Sequence, residues 1–185
     1  MARRATAVSR ARIQAVALTL FATRGYALTS LQEIATALDV TKAALYFYFP
    51  AKALLLQSLA DPLLDRVHAL LDAYTDGLLT PLARQEVVYS LTDLLLAHRS
   101  VVAWLARDLT ALAQPEIGDR IAALAAHLQR LLAGADSSLV GQVRVAAAIG
   151  ALMGPLVALD ALDTQALGAL RDTLVVAALA PLSAK

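Results

Sequence analysis

Residues 30–52, SLQEIATALDVTKAALYFYFPAK, constrain the fold of this chain more than any other segment. Ser30 and Glu33 form the pattern of a capping box, in which each side chain bonds the other residue's backbone amide at the start of a helix. Apolar residues follow at helical spacing through residues 31–38. The chain must then turn sharply at Asp39, where we expect a positive φ. This pattern predicts a helix-turn-helix, a motif that binds duplex DNA.

The second helix of the pair is predicted to begin after Thr41, which can cap it, and to end before Pro50. Leu45 and Phe49 lie one turn apart and are expected to face the core. The other side then carries Lys42, Ala43, Tyr46 and Phe47. A run such as LYFYF is by itself typical of core packing, but the cap, the turn and the flanking lysines favour a surface that reads the major groove.

A further helix is predicted over residues 9–24, with Gly25 as its stop, so that three helices form one unit. The preceding arm, MARRATAVSRAR, holds four arginines and no acidic residue. Two interpretations of this arm stay open: a disordered, solubilising segment or a contact with the minor groove.

Residues 10–55, about a quarter of the chain, resemble the N-terminal DNA-binding domain of the TetR family of transcriptional regulators. The resemblance lies in LFATRGY at 20–26, TSLQEIA at 29–35, LDV at 38–40 and TKAALYFYFPAK at 41–52. These segments follow the family's order and spacing. The resemblance also implies that the remaining helical region binds a ligand and forms a homodimer.

The resemblance implies roles for individual residues of this surface. Ser30 and Tyr48 are expected to contact phosphates, and Lys52 to contact the DNA backbone from the start of the fourth helix. Those expected to face the bases are Lys42, Ala43 and Tyr46. The complete predicted DNA-binding set is Ser30, Thr41, Lys42, Ala43, Ala44, Tyr46, Phe47, Tyr48 and Lys52.

Three residues depart from the family's pattern. Asp39 stands where a turn glycine is usual, which we expect to strain the turn. Ala44 replaces a common hydroxyl residue and removes a hydrogen-bonding group. Ala51 replaces the usual polar cap and is expected to weaken the start of the fourth helix.

Charge divides the chain in the same way. Residues 1–52 carry a net charge of +5, whereas residues 53–185 carry −4. DNA is therefore expected to meet only the N-terminal part. We assign residues 1–52 to an N-terminal arm and helix-turn-helix domain, and residues 53–185 to a helical ligand-binding and dimerisation domain.

The remainder of the chain shows helical periodicity interrupted by glycine and proline, without strand-like alternation, which predicts an all-α fold. The expected helices lie near 52–75, 82–98, 100–113, 116–133, 138–160 and 164–180. Breaks are expected near Gly77, Pro81, Pro115, Gly118, Gly134 and Pro181.

A dimer is expected because one helix-turn-helix reads only a few base pairs, whereas two read both halves of a palindromic operator. The interface is predicted on helices 138–160 and 164–180, and the alternative is packing of the same residues within one chain. The uncharged stretch 145–159 is shorter than the roughly 20 residues of a spanning helix, so no membrane partner is expected. The predicted interface residues are Ala147, Gly150, Ala151, Gly154, Leu167, Leu170 and Leu174.

A small-molecule effector is expected within residues 52–133, where few polar groups stand among many leucines and alanines. The predicted ligand-binding residues are Tyr89, His98, Trp104, Arg107 and Asp108. This composition favours a hydrophobic or amphipathic effector. The alternative places Trp104 in the core and leaves both charged residues in solvent.

Other classes of function receive little support. The chain has no cysteine, no phosphate-binding glycine loop, and neither a GxSxG nor an HExxH motif, so neither an enzyme nor a metal or other cofactor is predicted. His68, His98 and His127 are widely separated. We predict a cytoplasmic repressor that its effector releases from the operator. The alternative is a helical interaction protein of the same fold that has lost operator binding.

Overall fold

The structure is a computed structural model that describes residues 8–74, 79–134, 136, 138–158 and 164–183, without the side chains of residues 164–167. The described residues form ten helices, which confirms the all-α prediction. They are α1 (Arg10–Arg24), α2 (Leu31–Ala37), α3 (Lys42–Tyr48), α4 (Lys52–Asp72), α5 (Pro81–Ala97), α6 (Arg99–Arg107), α7 (Leu109–Leu112), α8 (Pro115–Ala133), α9 (Leu139–Ala158) and α10 (Thr164–Ser183).

Helices α1, α2 and α3 form the predicted three-helix unit. Ile13 and Phe21 of α1, Ile34 of α2 and Leu45 of α3 are almost completely buried against one another. Complete burial of such a side chain stabilises the fold by about 1.5–3 kcal/mol. Gly25, with φ 89°, ends α1 as predicted.

The hydrophobic core of this unit continues into the C-terminal part of the chain. Val101, Trp104 and Leu105 of α6 and Ile117 of α8 belong to the same cluster of buried side chains as α1–α3. A second cluster lies among α4, α5, α8, α9 and α10. Helix α4 contributes to both clusters, so the three-helix unit is joined to the bundle through α4, α6 and the start of α8.

The predicted helix 100–113 is in fact two helices, α6 and α7, separated at Asp108. The Asp108 carboxylate accepts hydrogen bonds from the backbone amides of Thr110 and Ala111 and thereby caps α7. These side-chain hydrogen bonds compete with the backbone hydrogen bonds that would continue α6. They account for the break between α6 and α7.

Pro181 was predicted to mark a helix end, but α10 continues through it to Ser183. The predicted break at Gly134 is confirmed, since this residue adopts φ 58° at the end of α8. Gly77 lies outside the described residues. Gly118 lies inside α8, where a Cβ would approach the Leu112 carbonyl oxygen to 2.3 Å, so its role is close packing and not termination.

Candidate nucleic-acid interface and effector cavities

The start of α2 carries the predicted capping box. Ser30 Oγ accepts a hydrogen bond of 3.2 Å from the Glu33 amide, and Glu33 Oε2 accepts one of 2.7 Å from the Ser30 amide. The hydrogen bond from the Ser30 amide is the main reason that the pKa of Glu33 lies below its ordinary value. The Ser30 hydroxyl is thus held at the exposed start of α2.

The turn between α2 and α3 contains Asp39 with φ 57°, as the sequence predicted. An aspartate tolerates this left-handed conformation better than most residues because its short side chain is polar. Thr41 then caps α3, with its Oγ1 accepting a 3.2 Å hydrogen bond from the Ala44 amide. Both helix starts of the motif are therefore fixed by side-chain caps.

Helix α3 presents opposite faces to the core and to solvent. Leu45 and Phe49 are completely buried. Phe47 is 83% exposed and Tyr46 is 38% exposed, and the Lys42 ammonium lies 5.3 Å from the centre of the Tyr46 ring. Thr41, Lys42 and Ala43 are exposed as well, and Ala44 is half-buried. This outward face has the composition of a surface that can enter a major groove.

Tyr48 and Arg10 join the N-terminal arm to the recognition helix. The Tyr48 hydroxyl donates a 3.0 Å hydrogen bond to the Val8 carbonyl. The Arg10 guanidinium lies 4.4 Å above the Phe49 ring and donates to the Tyr48 carbonyl at 3.5 Å. Val8 and Arg10 therefore lie beside α3. Residues 1–7 with the first two arginines lie outside the described residues, and both interpretations of the arm stay open.

Lys52, at the start of α4, is bound to the loop that precedes α2. Its ammonium donates hydrogen bonds of 2.9 Å to the Tyr26 carbonyl and 3.0 Å to the Thr29 carbonyl, and it lies 4.3 Å from the Tyr26 ring centre. Burial is the main cause that lowers the pKa of Lys52. A phosphate contact by Lys52 would compete with these carbonyl groups, so its predicted DNA role stays a prediction.

Comparison with known proteins identifies this arrangement. Residues 13–59 match the family described as bacterial regulatory proteins, tetR family. This segment of the chain is similar to the DNA-binding domain of that family. The matched segment contains α2, the turn, α3 and the start of α4.

Proteins of known sequence or structure share similarity with this chain beyond that segment. The chain is 35% identical over 88 residues to the uncharacterized HTH-type transcriptional regulator YuxN of Bacillus subtilis (strain 168); the match covers 47% of this chain and 30% of that protein. A TetR-family transcriptional regulator from Bordetella parapertussis 12822 superposes with a TM-score of 0.69 at 23% identity, over 92% of this chain and 93% of that one. The ketosteroid transcriptional regulator KstR2 of Mycobacterium tuberculosis superposes with a TM-score of 0.67 at 21% sequence identity. The superposition covers 95% of this chain and 97% of that one.

The turn between α6 and α7 contacts the loop between α1 and α2. Asp108 Oδ2 accepts hydrogen bonds from the Tyr26 amide at 2.5 Å and from Trp104 Nε1 at 3.1 Å. The Ala27 amide donates to Thr110 Oγ1 at 3.2 Å. Trp104 is buried and stacks on Phe21, with ring centres 5.3 Å apart. The DNA-binding unit is therefore attached to the bundle by directed bonds.

An apolar cavity of about 300 Å³ lies between α4, α5, α6, α8 and α9. Its walls include Leu63 and Val67 of α4, Leu91 of α5, Ile149 of α9 and Leu128 of α8. None of the five predicted ligand-binding residues lines it. Sequence reasoning missed its lining because leucines that border a cavity and leucines that fill a core have the same helical periodicity.

A second, more polar cleft of about 660 Å³ lies between the C-terminal end of α1 and helices α6 and α7. Three of the predicted ligand-binding residues, Trp104, Arg107 and Asp108, line it. The Arg107 guanidinium also donates to the Val157 carbonyl of α9.

The other two predicted ligand-binding residues lie apart from both cavities. Tyr89 of α5 is half-buried beneath the Arg171 guanidinium of α10, which lies 5.0 Å from its ring centre. His98 stands between α5 and α6; burial and the nearby Arg66 charge lower its pKa. Its Nε2 atom is buried without a hydrogen-bond partner among the described residues.

The predicted dimer surface is partly exposed in the single chain. Gly150 and Gly154 of α9 face open space, and Ala147 is exposed beside them, whereas Ala151 and Leu170 are half-buried. Leu174 is only 2% exposed and packs in the bundle core, so its side chain does not lie on that face. The Leu167 side chain lies outside the described residues.

Further exposed apolar side chains border this surface: Leu139, Val140, Val143 and Val176. By length and composition α9 could also cross a membrane, and 28% of its most apolar stretch is buried in the single chain. The helix nevertheless carries Arg144 and packs along α10. Its exposed stripe coincides with the predicted dimer surface, and the dimer itself stays a prediction.

Sequence reasoning also missed Asp108 as the contact between the two parts of the chain. Asp108 is a residue type that often caps the start of a helix. An N-cap at this position predicts the break between α6 and α7. No sequence signal pairs this carboxylate with the Tyr26 amide, because that contact depends on how α6 packs against α1.

Proposed function

We propose that this protein is a homodimeric transcriptional repressor whose helix-turn-helix motifs bind the two halves of a palindromic operator. The observation that carries the proposal is the division of α3 into a buried face, with Leu45 and Phe49, and an exposed face with Lys42, Tyr46 and Phe47. A helix buried by its own domain on one side and rich in basic and aromatic groups on the other suits a major groove.

The distribution of charge supports the same surface. The proposed DNA-binding part, residues 1–52, carries +5, and residues 53–185 carry −4. Phosphate contacts from Ser30, Thr41 and the basic side chains would position the motif. Tyr46 would contact a base edge, and Lys42 would reach a phosphate or a guanine edge. The acidic remainder would repel DNA and leave one orientation for binding.

The homodimer is proposed to form through α9 and α10. Ala147, Gly150 and Gly154 lie on one exposed stripe of α9, where small residues permit close approach of a second helix. With its symmetry mate this pair of helices would complete a four-helix interface. The dimer would hold two copies of α3 about 34 Å apart, one turn of the duplex.

The effector is proposed to be a hydrophobic or amphipathic molecule that binds in the apolar cavity. Its volume of about 300 Å³ is at the lower end for small-molecule sites. Helix α4 lines this cavity with Leu63 and Val67 and begins at Lys52 in the DNA-binding unit. At a rise of 1.5 Å per residue, Lys52 and Leu63 are roughly 17 Å apart along this one helix, which has Pro62 in its interior.

Movement of α4 would therefore reach the recognition helices directly. An effector that prefers the conformation unable to bind the operator would release the repressor, and the operator would weaken effector binding by the same factor. Repression would consist of steric exclusion of the transcription machinery. The proposed location is the cytoplasm, where the protein would act as a regulator and not as an enzyme.

The neutral fluorescent probe N-phenyl-1-naphthylamine tests the effector cavity. Ile149→Trp, which fills the cavity, should abolish the probe's fluorescence gain, and Ala123→Trp on the exposed face of α8 should not. Both variants should still bind operator DNA. Unchanged probe binding by Ile149→Trp would exclude this cavity, and failure of every form to bind DNA would favour a helical interaction protein.

A further inference from the structure

The cleft between α1 and helices α6 and α7 is distinct from the apolar effector cavity. Phe21 and Gly25 of α1 form one wall, and Ser100 and Trp104 of α6 form the other. Its volume of about 660 Å³ is about twice that of the apolar cavity. It is the site at which a small molecule would touch the DNA-binding unit and the bundle at once.

One part of this cleft is apolar. Phe21, Trp104 and Leu156 lie beneath its floor and are only 1%, 3% and 3% exposed. The accessible apolar surface comes from Ala22 and Ala103, which are exposed and half-buried. Leu109 stands at the rim with 75% of its surface exposed. Removing this exposed leucine from water by covering it with an apolar group would be favourable.

The other part of the cleft is cationic. Arg99 and Ser100 line it side by side, and within the described part of the chain neither side chain forms a hydrogen bond or an ion pair. Arg107, which also donates to the Val157 carbonyl, adds a second positive charge about two turns further along α6. A guanidinium beside a hydroxyl suits a carboxylate or sulfonate, which accepts several hydrogen bonds at once.

Asp108 is the acidic side chain of the cleft wall, and its oxygens are directed into the protein. They accept hydrogen bonds from Tyr26, Trp104, Thr110 and Ala111. The cleft therefore presents two guanidinium groups against one carboxylate that is already hydrogen-bonded. The local balance favours an anion over a cation.

We propose that this cleft binds a small amphipathic anion, with its acidic group on Arg99 and Ser100 and its aromatic or acyl body against Ala22, Ala103 and Leu109. The bound molecule lies beside the hydrogen bond from Tyr26 to Asp108 and so acts on the attachment of the DNA-binding unit. That regulatory consequence rests on the proposed function, whereas the binding itself does not.

The test uses the full-length protein without DNA and the probe 8-anilinonaphthalene-1-sulfonate, an aromatic sulfonate. Trp104, the single tryptophan, lines the cleft and should transfer its excitation energy to the bound probe. Arg99→Gln should weaken sulfonate binding about tenfold, as loss of one charge-assisted hydrogen bond predicts. Arg130→Gln, on the exposed face of α8, should bind the probe as the parent does.

A second variant and a neutral probe complete the design. Ala22→Phe narrows the cleft from α1 and should also weaken the sulfonate, while binding of neutral N-phenyl-1-naphthylamine stays unchanged in both cleft variants. The proposal is overturned if Arg99→Gln and Ala22→Phe bind the sulfonate as tightly as the parent, or if Ile149→Trp in the apolar cavity abolishes its binding. Neither outcome depends on whether the protein binds DNA.

Discussion

The Asp108 carboxylate accepts a 2.5 Å hydrogen bond from the Tyr26 amide, across 82 residues of sequence. The same carboxylate accepts from Trp104 Nε1 and caps α7. On the other side of this loop, Lys52 donates to the Tyr26 and Thr29 carbonyls. The loop that leads into α2 is thus held from both sides, by the α6–α7 turn and by the first residue of α4.

Replacement of Asp108 by asparagine should loosen this attachment. The amide retains one acceptor oxygen where the carboxylate has two, and it loses the charge that strengthens each bond. We expect the free energy of unfolding in urea to fall by about 1–3 kcal/mol. Asp119→Asn, at an exposed position of α8, is the matched control and should change little. Equal stabilities of the two variants would show that the contact is not energetically coupled to the fold.

The stability contributed by Asp108 should depend on pH. Burial alone would raise the pKa of Asp108, but hydrogen bonds from Thr110, Tyr26, Trp104 and Ala111 outweigh it and hold the pKa below its ordinary value. A carboxyl group whose folded-state pKa is lowered stabilises the fold above its unfolded pKa of about 3.9 and loses that effect as pH falls through the folded value.

Thermal melts should therefore separate the parent from Asp108→Asn at neutral pH and converge as pH falls below about 4. The difference between the two melting temperatures is the quantity to follow. The effects of the other carboxyl groups cancel in this difference, because both proteins share them. A difference that stays constant down to pH 3 would show that the charge of Asp108 contributes nothing.

Substitutions on the exposed face of α3 should change how well the protein distinguishes its operator from other DNA sequences. Tyr46→Ala should cost about 1–3 kcal/mol on the preferred operator and little on unrelated DNA, if the ring contacts a base edge. Fluorescence anisotropy on both DNAs measures this difference. Gln129→Ala, on an exposed face of α8, should alter neither affinity. An equal loss on both DNAs would instead place Tyr46 on the phosphate backbone.

Variants of Lys42 and Lys52 should differ in how their affinity for DNA depends on salt concentration. Lys42 is exposed, so Lys42→Ala should lower the slope of log affinity against log salt by about 0.9 if it contacts a phosphate. Lys52→Met should reduce stability, because backbone carbonyl groups lose their donor, and leave the slope unchanged. A reduced slope for Lys52→Met would instead support the phosphate contact that the family resemblance implies.

Gly150→Arg should dissociate the proposed dimer. Gly150 has open space around its Cβ position, and arginine has a higher helix propensity than glycine by up to about 1 kcal/mol, so the single chain should fold at least as well. Sedimentation should show a dimer for the parent and for Ala123→Arg, and a monomer for Gly150→Arg. A parent that is monomeric, or that partitions into lipid vesicles through α9, would contradict this interface.

The sequence predicted the helix-turn-helix in detail because its determinants are local. The Ser30 capping box, the positive φ of Asp39 and the burial of Leu45 each depend on residues a few positions apart, and all were confirmed. The predicted helices were found with small differences at their ends, except for the break at Asp108, where one side-chain cap outcompetes a continuous backbone ladder.

The remaining features depend on contacts distant in sequence. Trp104 and Asp108 were singled out as polar or aromatic groups in an apolar region, but only the packing of α6 on α1 brings them to Phe21 and Tyr26. Leu174 fits the apolar pattern of α10 equally well in the core or on the surface, and the packing of α10 on α5 and α9 places it in the core. The periodicity of a sequence identifies the apolar face of a helix, but it does not identify the element against which that face packs.

The most direct test of the central proposal is selection of DNA fragments from a random pool by the purified full-length protein, followed by sequencing. We predict enrichment of an inverted repeat with half-sites about one helical turn apart, and loss of that enrichment in Tyr46→Ala. Binding to the enriched fragment should weaken steeply with salt. Recovery of no common sequence, with Tyr46→Ala indistinguishable from the parent, would contradict the proposal that this protein reads an operator through α3.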